Sequence, residues 1–590
     1  MTRRMTVRFA ALLAAFALVA VACADTSGDT TTTTTTTAAP SGGDTTATTA
    51  PPSGGGGGGD AVFIAEQWPE CLNPIQSCAN SSWLTWMSST HVMARLMELE
   101  ADGTFVASPV LTEAPSIENG GLVENPDGSF QITYNISPNA VWSDGTPMTS
   151  ADVEFTWRAY NDTTGVLSSA GYDIITSVDA SDPKVAVVSF SEAYAPWPDL
   201  FGGGTNYLLP AHGFASTDIA DDWIDEIPIS GGPWVSVSFS QTEAVLVPND
   251  NYWVEDRKPL LDQVTFVPRE DTDTEVIALQ TGEGLVAYPQ PFGDIKERMT
   301  DPIAFQTHDS LFYEGLWPGQ RSPNSGDLLS NEAVRLALIY SLDRQQIANT
   351  ALGAVYEGDV PVLNCGGWTP AQGDACDGTD FAGYTQDFDK VEEILTADGW
   401  TRGDTCWEKD GRELDIEWNT VAGNQRREDV QALVQQMTAP AGICWTIQNY
   451  DAGELFQNRL PQLTFNLGLW AQASSPDPSQ VALYKIDDIP TEANGYSGQN
   501  YTAWDNDPDG EHLRLSELVV EADRTIDPVK RLDLLNQAGD IVAEHVVWIP
   551  LYTLPNITAW RTDLIEGPIG LFGPNTYGTF ANMYDWSLTG

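Results

Sequence analysis

The chain is poor in positive charge: 27 Lys and Arg, only 7 of them Lys, stand against 83 Asp and Glu, for a formal net charge of -56 at pH 7. Such a surface repels nucleic acid and anionic membrane, and no basic stripe interrupts it, so polyanionic partners are excluded. Histidine is also scarce, at 5 residues, and none lies beside a cysteine. The 7 cysteines form no paired CxxC knuckles, which argues against zinc; neither metal nor cofactor is expected. A Gly-x-Ser-x-Gly elbow, a His-Glu-x-x-His helix and a phosphate-binding glycine loop are all missing. Past the N-terminal segment, no apolar run is long enough to span a bilayer.

What is present begins with an export pattern. Residues 1–22 carry Arg3, Arg4 and Arg8 ahead of a short apolar run, which reads as a signal peptide. Cys23 follows Val19, Ala20, Val21 and Ala22, an arrangement similar to the bacterial lipobox, with Ala20 where Leu is more usual. Cleavage before Cys23 and lipid modification of its thiol are expected. The protein would then be anchored to the outer face of the bacterial cytoplasmic membrane by that lipid alone. Residues 23–60 are rich in Thr, Gly and Pro and lack large apolar side chains, so they cannot bury a core and are expected to be a disordered tether. At ~5 to 6 Å times the square root of its length, the tether spans on the order of 35 Å.

Six cysteines remain, an even number in an exported chain, which favours disulfides. Proximity suggests Cys71 with Cys78, Cys365 with Cys376 and Cys406 with Cys444. With 590 residues and 42% hydrophobic content, two or three lobes are expected. Strand-like and helix-like patterns alternate without a fixed repeat, giving an α/β class. AVFIAEQ and KVAVVSF read as strands, and ADVEFTWRAYND as a helix behind a Thr-Ser cap. The stretch from Asn331 to Leu352 reads as one long amphipathic helix whose edges, at Arg335, Asp343 and Arg344, are salt-bridged.

Several motifs carry a resemblance in fixed order. VWSDGTPMTSADVEFTWRAYND, LLPAHGF, SGGPWVSVSFSQTEAVLVPNDNYW and KPLLDQVTFVPREDTDTEVIALQTGE come first. NEAVRLALIYSLDRQQI, VEEILTADGWTRG, LWAQASSPDPS and AEHVVWIPLYTLPNITAW follow. Together they resemble the family 5 extracellular solute-binding proteins of ABC transporters, a group of oligopeptide, dipeptide, nickel and some oligosaccharide receptors. The resemblance covers nearly everything from Ala61 to the C-terminus. It implies a two-lobe periplasmic-binding-protein-like fold, type II and cluster C-like, with a hinge and an extra subdomain in the first lobe. Lobe I would be assembled from 61–103, 208–290 and 543–590, with 104–207 as its inserted subdomain and 291–542 as lobe II. A solute bound between the lobes would favour the closed form that membrane permease subunits sense, and the receptor itself would be a monomer.

In peptide-binding members the segment equivalent to LWAQASSPDPS lines the cleft, and an Asp three residues after the Trp pairs with the ligand's amino group. Here that position is Ala473, with Gln472, Ser474 and Ser475 as neutral neighbours, and Asp477 serves only if the loop is shifted. A methyl group cannot balance a buried ammonium, so the solute, peptide or saccharide, is expected not to depend on a charged amino terminus. Trp470 is the leading contact residue. Trp68, Trp86, Tyr288, Trp317, Tyr496, Trp504 and Tyr552 are further aromatic candidates, drawn from a chain with 20 Trp. Asn73, Asn494 and Asn500 are candidate amide contacts. The competing classes are a secreted hydrolase with a carboxylate pair and a cell-surface adhesion or sensor protein; no catalytic residue is assigned.

Overall fold

The computed structural model describes residues 58–76, 81–291, 293–570 and 577–590. The export signal, Cys23 and most of the tether lie outside them, as does Cys78, the expected partner of Cys71. The other two expected disulfides are formed, Cys365–Cys376 and Cys406–Cys444. Among the described residues, no helix is long and apolar enough to cross a membrane.

The frame is one ten-stranded mixed sheet. Its strands are β1 (Asp60–Ala65), β6 (Trp234–Phe239), β7 (Ala244–Pro248), β8 (Gln263–Pro268), β9 (Val286–Ala287), β10 (Ile303–Pro318), β11 (Asp415–Asn419), β12 (Cys444–Ile447), β13 (Leu467–Ala473) and β14 (Ile549–Arg561). They run in the order β12-β11-β13-β10-β14-β9-β1-β8-β7-β6. A separate four-stranded sheet, in the order β2-β3-β5-β4, is built from β2 (Leu122–Glu124), β3 (Phe130–Asn135), β4 (Ile175–Asp182) and β5 (Val185–Phe190). It falls inside the 104–207 segment.

The strand reading of AVFIAEQ and KVAVVSF matches β1 and β5. β1 is nearly all buried because it is central, flanked by β8 in parallel register with Phe63 opposite Phe266. Phe63 packs edge-on against Phe266 and stacks on Phe580 at 5.5 Å. Helix α1 (Ser150–Asp162) starts where its cap predicts: the Thr149 backbone N–H donates to the Asp152 carboxylate at 2.8 Å in a capping box.

The long helix expected from Asn331 is two helices, α2 (Glu332–Tyr340) and α3 (Arg344–Leu352). The break has a local cause: the Asp343 side chain accepts from the Gln346 N–H, capping a new helix, and the Ser341 hydroxyl donates back to the Leu338 carbonyl. The edges are not salt-bridged either. Arg335 is 1% exposed and donates to the carbonyls of Leu329, Ser330, His545 and Val546. Arg344 does the same with Leu363, Pro550, Phe381 and Tyr384. Both guanidinium groups tie separate chain segments together instead of decorating a surface, and Arg344 reaches the sheet at Pro550.

The two longest strands, β10 and β14, pair antiparallel and run from one half of the large sheet to the other. Up to and including His308, β10 pairs with 556–561 of β14, beside β9; from Phe312 it pairs with 549–554 and with β13. The register shifts between His308 and Phe312 and again between Glu314 and Gly315. β10 is buried continuously from Ser310 onward.

Candidate functional site

A cavity of about 400 Å³ opens where the helical segment 82–92, the 196–207 region, Arg427 and the end of β13 converge. Of the residues expected at the site, Trp470, Gln472, Ala473, Ser474, Trp86, Trp68 and Tyr288 line it, as do Ser475 and Asp477. No His or Cys is among the described residues that line it.

The other expected residues are elsewhere, each for a visible reason. Asn73 is fully buried, donating to the carbonyls of Ile219 and Asp222 and accepting from two backbone N–H groups. Asn500 bridges Lys485 and Thr502. Asn494 closes a capping box with Thr491. Trp317 lies inside an aromatic stack, 4.5 Å from Trp548 on one side and 5.5 Å from Trp470 on the other. Trp504 packs on His545 at 5.1 Å. Tyr496 is 45% exposed outside the cavity lining. Tyr552 is fully buried and donates its hydroxyl to Glu314 at 2.7 Å.

Trp470 sits at the boundary between core and cleft. Only 2% exposed, it belongs mainly to the stack with Trp317 and meets Phe465 and Tyr501 edge-on. Gly468 makes this possible, because any Cβ there would collide with the Trp470 ring. The more accessible platform is therefore Trp68, stacked on Phe239 at 5.8 Å with its indole N–H on the Ser240 carbonyl, while the Trp83–Trp86–Tyr288 group lines the cavity but is as deeply buried as Trp470.

Beside the cavity, and reaching it through Arg427, lies a charge network that sequence reading missed. Arg426 donates two hydrogen bonds to Glu314 at 2.6 and 2.7 Å, and Arg427 donates through Nε and Nη2 at 3.0 and 2.7 Å. The three side chains are 0%, 5% and 0% exposed for Arg426, Arg427 and Glu314. Burial disfavours the Glu314 charge, but the two guanidinium groups outweigh it and hold the carboxyl below its ordinary range. Helix α4 (Gln425–Thr438) starts at this point because Asn424 caps it, which aims its first residues at β10. Arg427 lines the cavity, and its Nη1 is buried without a partner. Glu66, which accepts from the Trp83 indole at 3.3 Å, lines the same cavity; burial pushes it up to about 7 against the pull of Arg427. A pair of adjacent arginines in so acidic a chain was the available signal.

Acidity returns at the mouth as well. Asp477 is clamped by Arg531 through two hydrogen bonds of 2.7 and 2.6 Å, so it cannot stand in for the missing Asp at Ala473. Asp199 lines the cavity beside Asp477; burial, then the Asp477 charge, pushes it up to about 7. Asp523, held by the Ser479 hydroxyl at 2.6 Å, is pushed up to about 7 by the same two causes. One guanidinium thus bonds to two of these three carboxyls, Asp477 and Asp523.

A pH dependence of stability follows. Carboxyls with raised values keep protons in the folded state that the unfolded chain releases, so stability is full below the ordinary values of 3.8 and 4.5 and falls as pH rises to about 7. Glu314 has the opposite sign, and its contribution is lost as pH drops below 4.5. The ligand-free melting temperature is therefore expected to peak near pH 5 and to decline toward pH 8, with Asp523→Asn flattening the decline. Calorimetry at constant ionic strength checks this, and a melting temperature that climbs from pH 5 to 8 contradicts it.

Comparison with known proteins places this geometry. Residues 107–488 match the model of bacterial extracellular solute-binding proteins, family 5 Middle. The chain is 26% identical over 464 residues to the oligopeptide-binding protein OppA of Mycobacterium tuberculosis, covering 75% of this chain and 72% of that one. The structure of the oligopeptide-binding protein AppA from Bacillus subtilis, in complex with a nonapeptide, superposes with a TM-score of 0.76 at 21% identity, covering 90% of this chain and 99% of that one. NikZ from Campylobacter jejuni, in complex with Ni(L-His), gives 0.75 at 17% identity, over 90% and 99%. The family is one of binding proteins, and its fold is the two-lobe α/β one expected from the motifs. With its motifs in family order, this sheet and a cleft built for binding, the chain belongs to the family 5 bacterial extracellular solute-binding proteins and is a solute receptor.

Proposed function

We propose that this receptor takes an oligopeptide-like solute in extended form and delivers it to the permease subunits of an ABC importer, acting as a monomer tethered through lipidated Cys23. One observation carries the peptide reading. β13 is paired with β10 from Leu467 to Ala473, but on its other side β11 meets it only at Leu467 and Gly468. Among the described residues, no strand continues along that second edge, and residues 470–475 line the cavity. A free strand edge facing a cleft is what an extended peptide uses to add a strand.

The remaining groups assign the ends. The unpartnered Nη1 of Arg427 suits a solute carboxylate, and the Trp68 and Trp83–Trp86 faces suit apolar side chains. Ala473 and the clamped Asp477 leave the β13 lip without a dedicated ammonium partner. The cavity volume of about 400 Å³ fits a short peptide. The register shifts between β10 and β14 interrupt the two longest strands part-way along their pairing, and these bulges are the proposed hinge.

Calorimetric titration with one short peptide in free, N-acetylated and C-amidated forms tests the assignment. N-acetylation is expected to change Kd by less than about threefold, and amidation to weaken binding by about tenfold or more. Ala473→Asp should shift preference toward the free amine. Binding of an oligosaccharide but of none of the peptides overturns the peptide reading, and absence of compaction on binding in small-angle scattering overturns the receptor cycle in favour of an adhesin or sensor.

A further inference from the structure

Further along the helical segment whose first turns line the cleft, Thr90, Arg95, Glu98, Arg257 and Tyr577 border a second cavity of about 140 Å³. Arg95 is 7% exposed, and its guanidinium lies over two aromatic rings, 4.8 Å from the centroid of Tyr207 and 4.6 Å from that of Tyr577. A guanidinium is planar and donates its hydrogen bonds from its edges. Nη1 makes one long contact, 3.4 Å, to the Thr90 carbonyl. Nε and Nη2 are buried and donate to nothing.

Those two nitrogens belong to the same edge. Their N–H bonds run parallel at the spacing of the two oxygens of a carboxylate, the geometry in which arginine binds such a group bidentately. Thr90 Oγ1, on a residue bordering the same cavity, is also buried and unpartnered. By contrast, Nε and Nη2 of the more deeply buried Arg335 both donate to the His545 carbonyl. The local charges leave Arg95 uncompensated. Glu98 is held by Arg257 at 2.8 Å, and Glu100 is exposed to solvent at the rim.

We propose that this cavity is an anion subsite, distinct from the solute cleft, that takes a small carboxylate on the Nε/Nη2 edge of Arg95 with the Thr90 hydroxyl as a third donor. Its volume suits an acetate-sized ion, being several times the ~30 Å³ share of one water. The site does not depend on what the main cleft binds.

The test is titration of the full chain with ¹³C-acetate at constant ionic strength, followed by saturation-transfer NMR. Saturable binding is expected, lost in Arg95→Gln and retained in Arg427→Gln, which removes the cleft donor. Arg95→Lys, which keeps the charge without the fork, is expected to weaken binding by about tenfold. It, together with Thr90→Val, serves if Arg95→Gln does not fold. No saturable acetate binding overturns the proposal. So does acetate binding that survives Arg95→Gln but vanishes in Arg427→Gln. Chloride displacing acetate at equal concentration overturns the carboxylate assignment.

Discussion

Glu314→Gln is expected to lower the unfolding free energy by about 3 to 5 kcal/mol, the cost of leaving buried charge without its partner. The substitution keeps the side chain's size and one acceptor oxygen, so the loss is electrostatic and not a cavity effect. Arg426 and Arg427 would be left facing each other, both essentially inaccessible to water, with the Tyr552 hydroxyl and Gln290 beside Arg426 and the Glu66 carboxyl, which burial pushes up to about 7, as the nearby acid. Urea unfolding with a common slope measures this directly. A useful contrast is Glu154→Gln, which removes the partner of Arg158 in a solvent-exposed pair and should cost less than about 1 kcal/mol. A Glu314→Gln protein within 1 kcal/mol of the parent would show that the network is not what closes the sheet at the cleft floor. Because α4 starts at this network and Arg427 also borders the cavity, the same substitution should weaken solute binding.

Trp470→Ala is expected to be comparably costly, about 3 to 5 kcal/mol, as for other large-to-small changes at buried aromatic positions. The indole is 2% exposed and continues the Trp548–Trp317 stack, so its removal opens a cavity that the rigid strands β10 and β13 cannot close. Trp68→Ala makes the informative comparison. Trp68 is only partly buried, so its loss should leave stability within about 1 kcal/mol while reducing solute affinity. Denaturation and calorimetric titration on both variants separate the two roles. Equal stability of the two variants would mean that Trp470 is a ligand platform and not a core residue.

Much of the fold was legible because it is written in short-range patterns. The Thr149–Asp152 capping box sits within four consecutive residues, and the alternation in KVAVVSF is visible by eye. Where a short-range signal was overlooked, the reading failed: Asp343 is a cap in the middle of an apolar periodicity, and the periodicity alone suggested one helix where there are two. The site was half legible. The segment from Trp470 to Ser475 does border the cavity, but the flanking aromatics divide according to what packs behind them, which no local pattern records. Trp317 and Trp504 are core and Trp68 and Trp86 line the cleft, although all four are the same residue type and their immediate neighbours in sequence do not separate them.

The sequence by itself determined the order of motifs that marks the family, two of the disulfides and the neutral character of Ala473. The electrostatics of the cleft were decided only by tertiary structure. Glu66, Asp199, Glu314 and Arg427 come from four distant segments, and the sheet brings them to one place. Their protonation depends on burial and on one another, since charges interact strongly only where water is excluded. A stretch that reads as free of carboxylates therefore lies in a cleft that is not, because neighbours in space, not in sequence, set the field a solute meets.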